Sequence, residues 1–225
     1  MLIRYQGHSQ FLLEDKNGQR VVTDPYDAST GYPMIDVRAD TVTVSHAHGD
    51  HSFTDKVTGS PVIIREAGTR MPLPDVKITA IPCFHDEAGG KKRGPNLMML
   101  IEMDGLRVLH CGDLGHLPDE RMLSAAGEVD ILLIPVGGFF TIDAAQAVRT
   151  AEMFDPAMII PMHYRTAYNA SWPISDEAPF LRMCAERGLC AEEADVLRVT
   201  KEDLSEQPRL TLMRMQTGGT SGASS

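Results

Sequence analysis

The chain has 225 residues, of which 43% are hydrophobic, and this is enough to bury one sizeable core in a single domain. Its formal net charge of −10 at pH 7 disfavours long-range attraction to phosphate backbones, so we expect no nucleic-acid partner. It has no apolar run of roughly 18 residues, as a membrane helix needs, and no signal-peptide pattern at its start, so we expect a cytoplasmic protein without membrane contact.

Short β-branched or apolar segments dominate the first half of the chain, and each ends at a turn-forming residue. The predicted strands of this half are Gln10–Glu14, Arg20–Thr23, Thr41–Ser45, Pro61–Ile64, Val76–Ile81, Leu97–Glu102 and Arg107–His110. Most of these strands are separated by little more than turns, which is typical of antiparallel sheets.

Helical signals begin later and alternate with further strands. The predicted helices are Pro118–Ala126, Ile142–Phe154 and Ser175–Arg187, with Ser175 as an N-cap, and the predicted strands are Asp130–Ile134, Met158–Pro161 and Arg209–Met213. This order predicts an α/β fold in which two packed sheets carry helices outside. We expect one domain over residues 1–215 and a flexible Gly/Ser-rich tail over residues 216–225.

The predicted strand Thr41–Ser45 leads into the segment HAHGDH, in which His46, His48, Asp50 and His51 are potential metal ligands. Imidazole and carboxylate groups bind Zn²⁺ and similar ions, and a turn at Gly49 lets two of these side chains face one ion and two face another. A polar loop with a capping aspartate is the alternative. Three histidines and an aspartate within six residues favour the metal site.

A catalytic metal normally has three protein ligands and an open position, so further ligands must come from elsewhere in the chain. His85 and His163 follow predicted strands, and Asp113 follows a strand at a turn made by Gly112. Taken alone, His163 could be a packing residue and Asp113 a turn former. Their order after HAHGDH favours metal binding for both.

The motifs HAHGDH, His85, GDLG at Asp113 and PMHY at His163 resemble the metallo-β-lactamase superfamily in ligand type and order. With GHSQFLLE, TDPY and IPVGGFFTID, the chain is similar to the compact branch that includes ascorbate-6-phosphate lactonase and many zinc hydrolases of unassigned function. The resemblance implies a four-layer αββα sandwich. It also implies one metal bound by His46, His48 and His85, another by Asp50, His51 and His163, and Asp113 as the bridge between them.

The resemblance implies a hydrolase with two divalent metal ions, with zinc expected and manganese or iron as alternatives. Two such ions lower the pKa of a shared water, so that a metal-bridging hydroxide attacks a carbonyl or a phosphorus. Asp50, His110 and Asp24 are the candidate catalytic residues. For His110 a supporting role is the alternative to substrate contact or proton donation. For Asp24 the choice is between orienting a ligand histidine and capping the turn before Pro25.

Two histidines are not expected to bind metal. His8 in GHS is expected to support the site from a nearby turn, and His116 in GHLP to stand where a helix begins.

The segment DEAGGKKRGPN directly follows His85 and has the composition of a mobile loop over the metals. Lys91, Lys92, Arg93 and Asn96 are its candidate substrate residues, and Tyr164 is a further candidate. Adjacent cations suit a small anionic ester, lactone or phosphodiester, and the alternative is a solvated turn.

Two other functions remain open at this point. One is a phosphodiesterase or nuclease of the same superfamily, and the other is a metal-bearing binding protein without turnover. The sequence is compatible with a homo-oligomer and does not define the substrate.

Overall fold

The computed structural model describes residues 1–204 and 207–216. In this part of the chain the strands are β1 (Leu2–Gly7), β2 (Gln10–Glu14), β3 (Arg20–Thr23), β4 (Val37–Arg38), β5 (Thr41–Thr43), β6 (Val57–Thr58), β7 (Val62–Ile64), β8 (Gly68–Leu73), β9 (Val76–Phe84), β10 (Pro95–Met103), β11 (Leu106–His110), β12 (Ile131–Pro135), β13 (Met158–Met162), β14 (Ala191–Ala194), β15 (Leu197–Arg198) and β16 (Arg209–Met213). The helices are α1 (Gly49–Ser52), α2 (Glu120–Ala126), α3 (Ala144–Phe154) and α4 (Ala178–Ala185), with 3-10 turns at Ala28–Thr30, Thr54–Lys56 and Lys201–Asp203.

These strands form two large sheets. The first has the order β15-β1-β2-β3-β5-β7 and the second β14-β16-β13-β12-β11-β10-β9-β8, while β4 and β6 pair separately. In the second sheet β11, β12 and β13 are parallel neighbours, so their carboxyl ends meet at one edge. In the first sheet β3 and β5 are parallel and deliver Asp24 and the HAHGDH segment in the same way.

The main core lies between the two sheets, because successive side chains of a strand point to opposite faces. Phe11 and Leu13 of β2 join the large buried cluster that also contains residues of the second sheet. Leu12, between them, packs instead with Val22 and Val42 on the outer face of the first sheet. The first sheet is therefore buried on both faces.

Helix α2 contacts β9, and α3 contacts both β12 and α4, so these helices cover the second sheet. The α/β sandwich predicted from the sequence is confirmed. Among residues 1–204 and 207–216, no helix combines the length and apolarity needed to cross a membrane.

Several predicted boundaries are wrong. Strand β10 begins at Pro95, two residues before the predicted Leu97, and pairs there with Phe84 of β9, so the loop after His85 ends before Asn96. The helix predicted from Ser175 begins at Ala178 after Glu177, without a side-chain cap, and the Ser175 amide donates to Gly137 O at 2.7 Å.

The sequence pattern predicts no strand at β1 or β8, and the structure has both. Of the predicted tail, residues 217–225 lie outside the described residues. Gln216 belongs with the domain, since its amide donates to Tyr5 O at 2.8 Å.

Candidate metal centre

The predicted ligands lie together where loops leave both sheets. HAHGDH follows β5 and forms the start of α1, in which the His51 amide donates to His48 O at 3.0 Å. His85 follows β9, Asp113 follows β11 and His163 follows β13. Strand ends of the two sheets therefore bring distant parts of the chain to one place.

The ligand atoms form two groups. His46, His48 and His85, called here the first group, have nitrogens within 4.8 Å of one another. Asp50, His51 and His163, called the second group, also lie within 4.8 Å of one another. The same groups were predicted from the resemblance.

Asp113 lies between the two groups. Its Oδ2 is 3.1 Å from His85 Nε2 in the first group and 3.3 Å from His163 Nε2 in the second. Its Oδ1 is 3.1 Å from His51 Nε2. One buried carboxylate thus faces histidines of both groups.

These residues fit a divalent metal ion. The buried atoms His46 Nε2, His163 Nε2 and Asp113 Oδ1 make no hydrogen bond of normal geometry among the described residues, although Asp113 lies close to His51 and His163. Buried polar atoms are normally paired, and these are the nitrogen and oxygen donors that zinc and related ions bind. The unpaired atoms and their convergence both indicate a cation site.

The charges of the centre also suit a cation. Burial and the neighbouring His51 lower the pKa of His46 to about 3, so this imidazole keeps a free lone pair at neutral pH. Burial raises the pKa of Asp113, but His163 and His51 outweigh it and hold that pKa well below its usual value. The centre therefore offers a neutral imidazole and an ionised carboxylate.

Asp24 holds His51, a predicted ligand, and this contact is the one that the first of the two sequence interpretations requires. Asp24 is fully buried at the end of β3 and its Oδ2 accepts a hydrogen bond from His51 Nδ1 at 2.8 Å. Ser45 N–H also donates to Asp24 at 2.7 Å, which anchors the start of HAHGDH. Burial raises the pKa of Asp24, yet the nearby His110 and His51 lower it overall, so it stays ionised.

Both ring nitrogens of His110 are hydrogen-bonded inside the fold. The residue is fully buried, its Nε2 donates to Ser9 O at 2.8 Å, and its Nδ1 accepts from Gly112 N–H at 3.1 Å. With both ring nitrogens engaged, it cannot act as the proton donor considered from the sequence. It supports the turn at Gly112 that presents Asp113, which was the alternative interpretation.

Asn96 also supports Asp113. It is 1% exposed, its amide nitrogen donates to Cys111 O at 2.9 Å, and its Oδ1 accepts from Asp113 N–H at 3.0 Å. A side chain added at Gly112, whose φ is 53°, would meet Asn96 Oδ1 at 2.5 Å. The interpretation of Asn96 as a substrate residue is wrong, because its polar atoms are used inside the fold.

The loop after His85 is organised by Asp86. Its two carboxylate oxygens accept hydrogen bonds from the backbone amides of Ala88, Gly90, Lys92 and Arg93 at 2.8 to 3.1 Å. The sequence suggested a mobile loop here, and the structure shows one that is wrapped around a single carboxylate.

The three cations of this loop differ in their surroundings. Lys91 and Lys92 are exposed, whereas Arg93 is partly buried. Arg93 donates to Phe139 O at 2.8 Å, and its guanidinium lies 5.9 Å from the Phe139 ring centroid and 5.7 Å from that of Phe140. Arg93 therefore joins the loop to the segment after β12.

Tyr164, the remaining candidate substrate residue, is 6% exposed. It lines a cavity of about 660 Å³ together with Tyr5 and Tyr32, and no member of the first or second group lines that cavity. Its role in substrate binding stays a prediction.

Sequence reasoning did not single out one residue near the centre, Trp172, and did not count another, His8, among the candidate ligands. His8 lies in the same cluster as the second group, although it was not expected to bind metal. Trp172 lies with its ring centroid 5.4 Å from that of His8, 6.2 Å from that of His163 and 5.8 Å from that of Phe140. It is the single tryptophan of the chain, a signal that could have drawn attention to its loop.

Two packed sheets with a buried histidine and aspartate cluster where their strands end define a metal-dependent hydrolase of the metallo-β-lactamase superfamily. The chain belongs to the family of beta-lactamase superfamily domains, whose model matches residues 2–163.

Curated relatives agree with this class. A UPF0173 metal-dependent hydrolase of Archaeoglobus fulgidus is 30% identical, over 85% of this chain and 94% of the relative. One from Pelotomaculum thermopropionicum is 28% identical, over 88% of this chain and 96% of the relative.

A solved structure described as a Zn-dependent hydrolase of the metallo-β-lactamase superfamily, from Thermotoga maritima, has a TM-score of 0.78 and 32% identity, covering 96% of this chain and 99% of that one. The metallo hydrolase Igni18 of Ignicoccus hospitalis, with a TM-score of 0.60 and 23% identity over 84% of this chain and 92% of its own, shares the fold.

Proposed function

We propose that the chain hydrolyses a small anionic ester, lactone or phosphodiester with two divalent ions, for which zinc is the expected metal. The first group would hold one ion, the second group the other, and Asp113 would bridge them. The supporting observation is the position of Asp113 Oδ2, at 3.1 Å from His85 Nε2 and 3.3 Å from His163 Nε2. A carboxylate between two cations also offsets their mutual repulsion.

When bound, a pair of divalent ions lowers the pKa of a shared water and polarises the oxygen under attack. The protein orients its ligands through Asp24, which holds His51, and through Asn96, which holds the Asp113 backbone. Asp50 is the ionised carboxylate of the cluster that reaches solvent, with 21% of its side chain exposed. We assign it the acceptance of the proton released by the attacking water.

The anionic character of the substrate is inferred from cations on segments that adjoin predicted ligands in the chain or line a cavity with one. Lys91 and Lys92 are exposed on the loop that follows His85. Arg65 lines a cavity of about 460 Å³ that His46 also lines. Such groups can hold a phosphate or carboxylate by charge-assisted hydrogen bonds. A small molecule in the cytoplasm is the proposed substrate, because a net charge of −10 disfavours RNA or DNA.

Metal content tests the two-ion assignment. We expect about two ions per chain in the wild type and about one in His163→Ala, measured by elemental mass spectrometry after purification without chelator. His116→Ala is the matched control and should leave the count unchanged, because within the described part of the chain His116 hydrogen-bonds the backbone of Phe84 and Leu117 and none of the predicted ligands. A wild type with one ion or none would contradict the proposal.

Hydrolysis of paired substrates tests the reaction and the charge preference. We expect Asp113→Ala to abolish hydrolysis of an ester and lactone panel. The double variant Lys91→Ala/Lys92→Ala should raise KM for an anionic ester by about 10-fold, which corresponds to roughly 1.4 kcal/mol. A neutral ester with the same leaving group is the control and should keep its KM. Equal effects on both esters would argue against recognition of an anion by this loop.

A further inference from the structure

We propose that His8 is a direct ligand of the second ion, together with Asp50, His51 and His163. This inference rests on the proposed two-ion function and adds a ligand from the turn between β1 and β2. It changes the second group from three protein ligands to four, in addition to the bridging Asp113.

The distances around His8 match those between ligands of one ion. His8 Nε2 lies 3.1 Å from His51 Nε2 and 3.4 Å from Asp50 Oδ2. Because Zn–N and Zn–O bonds are about 2.0 to 2.1 Å long, two adjacent ligand atoms are roughly 2.8 to 3.0 Å apart on an octahedral ion and roughly 3.3 to 3.4 Å apart on a tetrahedral one. His8 Nε2 therefore stands where a ligand atom of this ion would stand.

A simple hydrogen bond between His8 and His51 does not explain the whole arrangement. His51 Nδ1 donates to Asp24, so the Nε2 atoms of His8 and His51 can share one hydrogen bond, whichever of the two rings donates it. His163 also converges on these atoms, with its ring centroid 4.4 Å from that of His8, and its Nε2 has no hydrogen-bond partner among the described residues. A shared cation accounts for all four side chains.

The backbone holds His8 and His163 in place before any ion binds. Both have left-handed conformations, with φ of 55° and 52°, which are unfavourable for residues other than glycine. The His163 amide donates to His8 O at 3.0 Å, and the Tyr5 hydroxyl donates to the same oxygen at 3.0 Å. Strained residues of this kind concentrate at functional sites, where the surrounding fold maintains them.

The extra ligand makes the two metal positions unequal. With four ligands of its own and Asp113, the second ion would have more protein ligands than the first, and less room for a substrate oxygen beside the shared water. The first group supplies three histidines, and its His48 is exposed. The open position for a substrate oxygen therefore belongs to the first ion.

Cobalt substitution tests this assignment, because the visible absorption of Co²⁺ depends on the number and type of its ligands. We would titrate the metal-free full chain with Co²⁺ and record the spectrum for the wild type, His8→Ala, His8→Gln and the control His116→Ala. His8→Gln keeps a polar group that can bond His51 or Asp50 but supplies no imidazole. Circular dichroism of the metal-free proteins identifies any variant that fails to fold.

We expect both His8 variants to change the cobalt spectrum and to weaken one of the two Co²⁺ sites by more than about 100-fold, beyond the 10- to 100-fold typical of residues that only support a ligand. If His8→Gln keeps the wild-type spectrum and both affinities, His8 is a hydrogen-bonding residue and the inference is wrong, while the two-ion function stands. A wild type that binds no more than one Co²⁺ contradicts the proposed function itself, before any variant is compared, and the His8 assignment with it.

Discussion

At the scale of single residues, a buried carboxylate fixes the orientation of a predicted ligand histidine. Asp24 accepts a hydrogen bond from His51 Nδ1–H at 2.8 Å. Its backbone has a φ of 38°, a conformation that asparagine tolerates as well as aspartate does. Its carboxylate also anchors Ser45, one residue before the first ligand. The position of HAHGDH therefore depends on a residue that comes from another strand.

We expect Asp24→Asn to weaken metal binding by 10- to 100-fold while the fold is kept, because the amide fits the backbone but is a weaker acceptor for His51 Nδ1–H. Competition with a chromogenic chelator measures this change. The exposed Asp36, which pairs with Lys56 at 3.1 Å, provides the control Asp36→Asn. Equal metal affinity in both variants would show that Asp24 does not orient His51.

Some residue roles could be predicted from the sequence and others could not. His46, His48, Asp50 and His51 stand within six residues, so no knowledge of the fold was needed to place them together. His8 lies far from them in the chain, and the resemblance carried by GHSQFLLE predicted it near the site but not among the ligands. Its position near the second group depends on how β1, β2 and β13 pack, and local pattern does not encode that packing.

At the scale of elements, strand pairing corrects the most consequential error. Apolar pattern begins the predicted strand at Leu97. Strand β10 begins at Pro95, because its first residues pair with the end of β9. This extension takes Asn96 out of the loop and into the sheet, where it pairs with Cys83. Cross-strand partners determined the outcome, and a single-strand pattern does not contain them.

The loop between β9 and β10 should depend on Asp86. In Asp86→Ala, four backbone amides lose their acceptor, and we expect faster hydrogen exchange at Ala88, Gly90, Lys92 and Arg93. Hydrogen exchange with mass spectrometry measures this effect.

The control for this prediction is Glu87→Ala, which removes a neighbouring carboxylate that bonds only the Gln146 side chain. In Glu87→Ala the backbone amides of this loop should exchange at the same rates as in the wild type. Unchanged exchange in Asp86→Ala would show that the loop is held by other contacts, such as Arg93 with Phe139.

At the scale of the whole molecule, the centre joins the two sheets. His46, His48, Asp50 and His51 follow the first sheet, whereas His85, Asp113 and His163 follow strands of the second. An ion bound by both sets holds the sheets together, in addition to the core between them. Metal binding and stability are therefore coupled.

Removal of metal should lower the thermal stability of the protein. A ligand at about 1,000 times its Kd stabilises the folded state by roughly 4 kcal/mol, so we expect a lower Tm after chelation and its recovery when Zn²⁺ is added. Differential scanning calorimetry measures both steps. In Asp113→Ala the difference between metal-free and metal-loaded Tm should shrink. If chelator leaves the wild-type Tm unchanged, no bound ion connects the sheets.

The order of the predicted ligands along the chain also determines when each of them becomes available during synthesis. His51 completes the HAHGDH segment, but His163 follows only after 112 more residues. At roughly 5 to 20 residues per second, this gap corresponds to about 6 to 22 s on the ribosome. During that interval a growing chain carries Asp50 and His51 without His163, so an ion taken up there would have an incomplete ligand set. Loading of the second group would therefore have to wait for β13 to emerge and join the second sheet.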